Sequence, residues 1–307
     1  MQKKELYDIL IIGGGCAGLP AAMYAGRFGL KTLVLAEQPG GTIILTDVVE
    51  NYPGFIRLTG LELAQKLQEH AESYKDVTIK AERVVDVAKK GEHYWVKTQE
   101  YEYETKTIIF STGTEWKKLN VPGEKELANK GVHYCALCDG AFYKNKILGV
   151  VGGSDSAAKE ALLLTQWAQK VYIIYRGDQI HPEPINMERV LANKKIEIIN
   201  NTNITEIKGE QKVTSVIFDK AYNGNKEFKL DAVFVEIGHI PLTELPKKLG
   251  VNLNKKGEVI IDREAKTNVP GIYAAGDCVD TAFKQAITGA AEGVSAAYSA
   301  YQYLSKE

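Results

Sequence analysis

The sequence predicts an α/β fold made of two doubly wound domains, with the second domain inserted in the first. Two glycine-rich loops carry this prediction, because each follows a short apolar strand and precedes a helix, at residues 13–18 and 152–157. Each of these units continues into β-rich sequence and then a strand that runs into glycine, at 107–113 and 232–238. A length of 307 residues suits two domains that each bury a core. The repeated order indicates two Rossmann-like, dinucleotide-binding domains.

The first unit begins with a continuous apolar run, Asp8 to Ile12, as expected of a buried parallel strand. The motif Gly13-x-Gly15-x-x-Gly18 follows it. Residues 19–28 have the pattern of a helix, and residues 31–35 that of the next strand. Glu37 lies about 20 residues past the loop, where an acid can hold a ribose 2′-hydroxyl. Because strand, loop, helix and acid all occur in order, the motif is a strong signal.

The second unit repeats this order with a strand at 146–151, a helix at 158–168 and a strand at 171–175. The C-terminal part has a strand that ends in Gly276-Asp277 and then a long Ala-rich helix, Gln285 to Leu304. Chains of this type usually return to the first domain at this point. We therefore predict a first domain of 1–116 plus 246–307 and an inserted domain of 117–245.

Composition indicates an ordinary soluble protein, and nothing in the charge balance favours binding to nucleic acid or anionic lipid. The net charge is −1, the hydrophobic fraction is 45% and the charged fraction is 25%. The polar N-terminus, Met1 to Asp8, and the short apolar run that follows give no export signal or membrane span. Four cysteines are too few for a disulfide scaffold, which favours a reducing, cytoplasmic setting.

The segment Cys135-Ala136-Leu137-Cys138-Asp139 carries a dithiol pair just before the second nucleotide fold. Two cysteines separated by two residues can close a small disulfide, and one thiol of such a pair usually has a depressed pKa. Half of a zinc site is the alternative, but a closed zinc site needs four ligands. His133 would add only a third ligand, so we predict no metal.

These motifs resemble those of the low-molecular-weight thioredoxin reductases over nearly the full length of the chain. The matching segments are Gly13-x-Gly15-x-x-Gly18, Glu50-Asn51-Tyr52-Pro53-Gly54, Ser111-Thr112-Gly113, Cys135-x-x-Cys138-Asp139-Gly140, Gly276-Asp277 and Gln285-Ala286-Ile287. The resemblance implies FAD, a homodimer, and reduction of a disulfide in a thioredoxin- or glutaredoxin-like partner. It also implies a rotation of the second domain that alternates access to the flavin.

The resemblance also supplies roles for particular residues. Cys138 would face the flavin, Cys135 would attack the disulfide of the partner, and Asp139 would protonate the departing thiolate. Thr42 stands where the family commonly has glutamine, so that contact is not carried over, and Lys284 stands where arginine is common. The predicted cofactor-binding residues are Gly13, Gly15, Cys16, Ala17, Gly18, Glu37, Gln38, Gly41, Thr42, Asn51, Thr112, Gly113, Gly276, Asp277, Lys284, Gln285 and Ala286.

The second glycine loop departs from the family pattern. Ser154 stands where a glycine would let the backbone approach a pyrophosphate. Family members that use NADPH have several arginines after the next strand, and only Arg176 remains here, with Gly177 and His181 in place of two others. The candidate nicotinamide nucleotide residues are Gly152, Ser154, Asp155, Ser156 and Arg176.

Two interpretations of the electron donor therefore stay open. NADPH could bind weakly through Arg176 and the helix N-terminus. Alternatively, reduced ferredoxin or a deazaflavin could deliver electrons to FAD, which we favour slightly. An oxidase or a ferredoxin–NADP reductase on the same fold, or a flavoprotein redox sensor, are rival functions, and the dithiol with its acid argues against them.

Overall fold

The computed structural model describes residues 5–306; the first four residues of the polar N-terminus, and residue 307, lie outside that range. The chain forms two compact units. One unit contains the residues up to Glu115 and from Ile240 onwards, and the other is Trp116–His239.

The first unit begins with the predicted strand–loop–helix–strand order. Its elements before the insertion are β1 (Leu6–Ile12), α1 (Gly18–Arg27), β2 (Thr32–Leu35), a 3₁₀ turn (Gly41–Leu45), α2 (Gly60–Glu72), β3 (Val77–Lys80), β4 (Val84–Lys90), β5 (His93–Thr98), β6 (Glu102–Phe110) and β7 (Thr114–Trp116). Helix α2 begins at a capping box, in which Thr59 Oγ1 accepts from the Glu62 amide and the Glu62 carboxylate accepts from the Thr59 amide.

The second unit contains the redox segment and the second glycine loop. Its elements are β8 (Val132–His133), α3 (Ala136–Asp139), a 3₁₀ turn (Gly140–Tyr143), β9 (Ile147–Val151), α4 (Asp155–Leu164), β10 (Lys170–Ile174), α5 (Pro184–Ala192), β11 (Ile196–Ile199), β12 (Ile204–Lys208), β13 (Ser215–Tyr222), β14 (Asn225–Lys229) and β15 (Ala232–Val235). The chain then adds β16 (His239–Pro241), α6 (Glu244–Lys248), β17 (Ile272–Ala274) and α7 (Ala286–Leu304).

Each unit is built on its own doubly wound sheet. In the first unit the order is β3-β2-β1-β6-β5-β4, with β17 also on β6, and β1, β2, β3, β6 and β17 run parallel. In the second unit a parallel sheet has the order β11-β10-β9-β15-β8, and β12, β13 and β14 form a separate antiparallel sheet. The strand order reverses beside β1 in the first sheet and beside β9 in the second. Crevices for ligands form at such reversal points.

The strands of the first sheet bury both faces, as their continuous apolar sequence predicts. Leu10 and Ile12 face one core, whereas Ile9 and Ile11 face the other, where α1 and α7 supply mainly alanines. The two helices approach closely, since a Cβ at Gly293 of α7 would lie 2.1 Å from the Ala17 carbonyl oxygen. This packing fixes the start of α1, and with it the first glycine loop.

The α/β fold with two Rossmann-like sheets is confirmed, and the element bounds differ from the predicted ones at a few ends. Helix α4 spans Asp155–Leu164 instead of 158–168. It begins directly after Ser154, whose backbone is extended, and it ends where Thr165 Oγ1 donates to the Leu162 carbonyl oxygen (2.7 Å). Such side-chain hydrogen bonds compete with the helical pattern of backbone bonds.

Candidate active site

The first glycine loop is shaped by two glycines that allow close backbone contact. Gly13 has φ +110°, and a Cβ there would lie 2.1 Å from the Ser111 carbonyl oxygen. A Cβ at Gly18 would lie 2.0 Å from the Gly13 carbonyl oxygen. Gly15 differs, because the nearest protein atoms to its Cβ would be 3.8 Å away. Gly13 and Gly18 therefore serve packing, whereas Gly15 leaves room for a ligand to approach the backbone.

The chain after β2 closes one side of this loop. The Gly40 amide donates to the Gly14 carbonyl oxygen (2.8 Å), and a Cβ at Gly41 would lie 3.0 Å from the Gly15 Cα. Gly41 and the first glycines thus form one cradle. The remaining predicted residues of this part also lie near the carboxyl end of β1 and β2: Cys16 and Ala17 lead into α1, and Glu37, Gln38 and Thr42 are exposed. Glu37 Oε1 is 3.2 Å from Arg83 Nη1.

Asp277 lies in a tightly held loop after β17. Lys284 Nζ donates to the Asp277 carbonyl oxygen (2.8 Å) and the Val279 carbonyl oxygen (2.6 Å), and pairs with Glu258 Oε1 at 2.8 Å. The ammonium group of Lys284 therefore holds the loop that carries Asp277. The Asp277 carboxyl is partly exposed, and its charge adds to burial in raising the pKa of Cys16 to about 12. Cys16 is accordingly a protonated packing residue.

The start of α7 is organised by Gln285. Its side chain accepts from the Thr288 amide, and its own amide donates to Thr288 Oγ1 (3.0 Å). Asn51 Nδ2 donates to Gln285 Oε1 (3.0 Å), so two predicted cofactor residues far apart in sequence are in direct contact. Ala286 is the first residue of α7. The amides of this first turn give the site the positive end of a 19-residue helix.

The strand β6 ends at the last part of this site. Thr112 Oγ1 donates to the Leu242 carbonyl oxygen (2.6 Å), and the Leu242 amide donates to the Gly113 carbonyl oxygen (3.0 Å). Gly276, whose amide donates to Glu292 Oε2 (2.8 Å), follows the neighbouring strand β17. An open glycine cradle, an acid at a strand end and a helix N-terminus fit a phosphate-containing dinucleotide cofactor such as FAD.

Cys135 and Cys138 of the second unit form a disulfide, with Cα atoms 5.4 Å apart. Cys135 is 7% exposed and caps α3, since the Cys138 amide donates to its Sγ at 3.1 Å, whereas Cys138 is exposed. The Ala136 amide between them donates to the Glu160 carboxylate of α4. Within residues 5–306, no three His, Cys, Asp or Glu side chains are grouped to hold a metal. Because Cys135 and Cys138 are joined by a disulfide, the pair is in the oxidised state of a two-electron redox group.

Asp139 lies against the buried side chain of His133, a residue that was predicted from sequence only as a possible third metal ligand. His133 Nδ1 is 3.0 Å from Asp139 Oδ2, and His133 Nε2 is 2.7 Å from Tyr143 Oη. The imidazole stacks on Phe234, with 5.3 Å between ring centroids, and is 4% exposed. Burial lowers the pKa of His133, although Asp139 opposes that shift. The histidine is therefore neutral at physiological pH.

The segment after β10 packs against the second glycine loop. The Tyr175 ring packs against two glycines, because a Cβ at Gly153 or at Gly177 would lie 2.5 Å from a ring carbon. The His181 amide donates to the Gly153 carbonyl oxygen (2.7 Å). The imidazole of His181 lies 5.6 Å from the ring of Tyr175, measured between centroids. The segment after β10 thus folds back over the loop.

The other candidate nucleotide residues are also held by protein contacts or lie exposed. Asp155 begins α4, and its carboxylate binds Lys159 Nζ (2.7 Å), Asn186 Nδ2 (2.7 Å) and the Glu183 amide (3.0 Å). These hydrogen bonds outweigh burial and lower the pKa of Asp155, so the carboxylate is ionised. Ser156 and Arg176 are exposed, and Ser154 makes no side-chain capping bond.

Glu236 is a buried acid beside the same loop, and the sequence reading missed it. It follows β15, it is 6% exposed, and its carbonyl oxygen would lie 2.2 Å from a Cβ at Gly152. Burial, with repulsion from Glu160, raises the pKa of Glu236 to about 9, and burial raises the pKa of Glu160 to about 7. A charged residue at the end of an otherwise apolar strand was the available signal.

Comparisons with known proteins agree with this arrangement. Residues 7–293 match the family of pyridine nucleotide-disulphide oxidoreductases. The chain is 40% identical to thioredoxin reductase of Bacillus subtilis over 307 residues, covering 99% of this chain and 96% of that protein. The crystal structure of Lactococcus lactis thioredoxin reductase has a TM-score of 0.94 and 38% identity, covering 98% of this chain and 100% of that one.

A further solved structure is a ferredoxin-flavin thioredoxin reductase from Clostridium acetobutylicum, with a TM-score of 0.53 and 30% identity. It covers 98% of this chain and 99% of its own. No helix within residues 5–306 is long and apolar enough to cross a membrane. The redox disulfide, the cofactor cradle and these matches make the chain a thioredoxin-disulfide reductase and an FAD flavoprotein. The chain belongs to the low-molecular-weight thioredoxin reductase family.

Proposed function

We propose that this reductase receives electrons from reduced ferredoxin or a deazaflavin, and not from NADPH in the usual mode. It passes them to the disulfide of a thioredoxin- or glutaredoxin-like protein. The observation that carries the proposal is the aromatic side chain of Tyr175, which packs against Gly153 of the second glycine loop and against Gly177.

Charge in this crevice supports the same conclusion. The N-terminus of α4, which would hold a pyrophosphate, already has the Asp155 carboxylate as its first residue. Arg176 is a single exposed cation, whereas a 2′-phosphate is usually gripped by several donors. An anionic nucleotide would have to bind beside the Asp155 carboxylate with Arg176 as its cation. The name of the Clostridium acetobutylicum relative supports a ferredoxin donor.

We propose that FAD binds the first unit through the cradle at Gly15 and Gly41, the Asp277 loop and the start of α7. When bound, FAD supplies a two-electron carrier for the disulfide. Reduction of Cys135–Cys138 takes two electrons and two protons and yields two thiols. These thiols then reduce the partner's disulfide, and the bond between them forms again. Asp139 supplies a proton to the departing thiolate.

In this scheme Cys138 exchanges electrons with FAD and Cys135 attacks the partner. Cys138 is the exposed cysteine, so the alternative to test is that Cys138 attacks the partner and Cys135 exchanges electrons with FAD. Mixed disulfides trapped with a thioredoxin-like protein distinguish them. Cys138→Ser should trap the partner on Cys135, and a trapped complex with Cys135→Ser alone would reverse the two roles.

The donor is tested by anaerobic titration of the FAD-loaded protein, following flavin absorbance. We expect no bleaching by micromolar NADPH or NADH and full bleaching by reduced ferredoxin. Rapid bleaching by NADPH at micromolar concentration would refute the proposal. It would favour the second candidate, an NADPH-dependent reductase that uses Arg176, and Arg176→Ala should then weaken the NADPH response. If reduced ferredoxin is the donor, Arg176→Ala should leave the bleaching by reduced ferredoxin unchanged.

We also propose that two copies form a homodimer in the cytoplasm. An apolar groove of about 330 Å³ on the first unit is lined by residues of α1, α2 and α7, including Met23, Leu67 and Val294. A groove of this kind suits burial against a second copy. Light scattering during size-exclusion chromatography tests this, and a mass of about 34 kDa for the FAD-loaded protein would refute it. An oxidase or a ferredoxin–NADP reductase is distinguished by Cys135→Ser, because those activities do not require the dithiol and would persist in the variant.

A further inference from the structure

We propose that His133 is a positioning residue for Asp139 and donates its Nδ1–H to the Asp139 carboxyl during disulfide reduction. This inference rests on the proposed acid role of Asp139. His133 Nδ1 is buried, lies 3.0 Å from Asp139 Oδ2, and makes no hydrogen bond to any other acceptor among the described residues. A buried donor beside the proposed acid needs an acceptor, and the carboxyl is the group within reach.

Tyr143 determines which ring nitrogen carries the proton. Its hydroxyl lies 2.7 Å from Nε2, and burial, with the charges of Asp139 and Asp231, raises the pKa of Tyr143. The tyrosine is therefore an O–H donor at neutral pH. If it donates to Nε2 of a neutral imidazole, the ring proton must be on Nδ1, which faces Asp139. The remaining face of the ring packs on Phe234, which carries no charge.

The proton movement then needs only one tautomer of His133. Two electrons break the Cys135–Cys138 bond, and one sulfur departs as a thiolate. The proton on one oxygen of Asp139 passes to that thiolate, which becomes a thiol. The Nδ1–H of His133 donates to the other oxygen before the transfer, and stabilises the carboxylate after it. Solvent returns the proton to Asp139, whose side chain is 30% exposed. The histidine itself neither gains nor loses a proton.

Two substitutions of His133 separate donation from packing. In His133→Asn the amide nitrogen occupies the Nδ1 position and keeps the donor. In His133→Gln the amide lies near Nε2, keeps a partner for Tyr143 and loses the donor at Nδ1. We expect His133→Gln to slow electron passage to the disulfide about tenfold, and His133→Asn to remain within about twofold of the parent.

The measurement is anaerobic stopped-flow mixing of the FAD-loaded enzyme with one equivalent of dithionite at pH 5.5 to 8.5. The flavin bleaches and then regains colour as electrons pass to the disulfide, and Cys135→Ser serves as the control that cannot regain it. Without the Nδ1 donor the Asp139 carboxylate loses a stabilising hydrogen bond, so the decline in rate with pH should move up by about one unit in His133→Gln. A purely structural role would lower the rate without moving the profile.

Asp139→Asn separates the two levels of the proposal. A slow Asp139→Asn variant together with a His133→Gln profile identical to that of the parent would overturn the inference and leave the acid role intact. An Asp139→Asn variant as fast as the parent would overturn the acid role, and the inference with it. The expected result is a slow Asp139→Asn variant, a shifted His133→Gln profile and an unshifted His133→Asn profile.

Discussion

Replacing Glu236 with glutamine should stabilise the second unit, and the gain should grow with pH. A carboxyl with a pKa of about 9 in the folded unit and 4.5 as its model value binds its proton more tightly when folded. The contribution of Glu236 to the free energy of unfolding is therefore fully present below pH 4.5, and it is lost as pH rises towards 9. At pH 7 the loss spans about 2.5 pH units, or about 3 kcal/mol at 1.36 kcal/mol per unit. Glu236→Gln removes this loss, because an amide does not ionise.

The free energy of unfolding should be measured by urea titration of the FAD-loaded protein at pH 5, 7 and 9. Trp167 packs on Gly140 in the second unit, so its fluorescence, with Trp95 and Trp116 replaced by Phe, reports on that unit. The advantage of Glu236→Gln over the parent should increase by roughly 2 to 3 kcal/mol between pH 5 and 7. Exposed Glu188→Gln should change stability by less than about 0.5 kcal/mol throughout. An advantage that stays constant or shrinks with rising pH would refute the reasoning.

Three further predictions concern the cofactor site and the disulfide. Gly15→Ala should fold normally by circular dichroism, since protein atoms stay 3.8 Å from the added Cβ, yet release FAD on dialysis; a variant that stays yellow contradicts the cradle. Lys284→Met should cost about 2 kcal/mol of stability and lower the melting temperature by several degrees, because three oxygens lose their cation, whereas exposed Lys255→Met should not; equal melting temperatures would count against it. Cys135→Ser should abolish reduction of a thioredoxin-like protein while flavin oxidation by oxygen continues, and residual disulfide reduction above 1% of the parent would disprove the dithiol route.

The local part of the fold could be predicted from sequence because it depends on short-range patterns. Glycines at 13, 15 and 18 lie between an apolar strand and a helix, and the structure has β1 and α1 there. The ends of α4 were less predictable, because the Thr165 hydroxyl competes for a helical carbonyl. Patterning identifies an element better than it identifies the residue at which the element stops.

The contacts that decide the chemistry of the second unit could not be predicted in the same way. Tyr175 is 22 residues from Gly153, and no periodic signal in the sequence predicts that its ring packs against the glycine loop. His133 precedes Cys135 by two residues, but its pairing with Tyr143 depends on how the 3₁₀ turn folds back. Burial of Glu236 follows from the sheet order, which places β15 beside β9. Each of these contacts joins segments that only the tertiary fold brings together.

The hydrogen bond from the Ala136 amide to the Glu160 carboxylate connects helix α4 to the disulfide turn, independently of any bound nucleotide. This bond holds the backbone of the disulfide turn, so the helix has a structural role whether or not its N-terminus binds phosphate. A shortened form of this reductase would therefore need to keep β9, α4 and β15, which support the disulfide turn. The antiparallel strands have to stay as well, because Ile207 of β12 and Phe218 of β13 are buried in one core with Val151 of β9 and Val233 of β15.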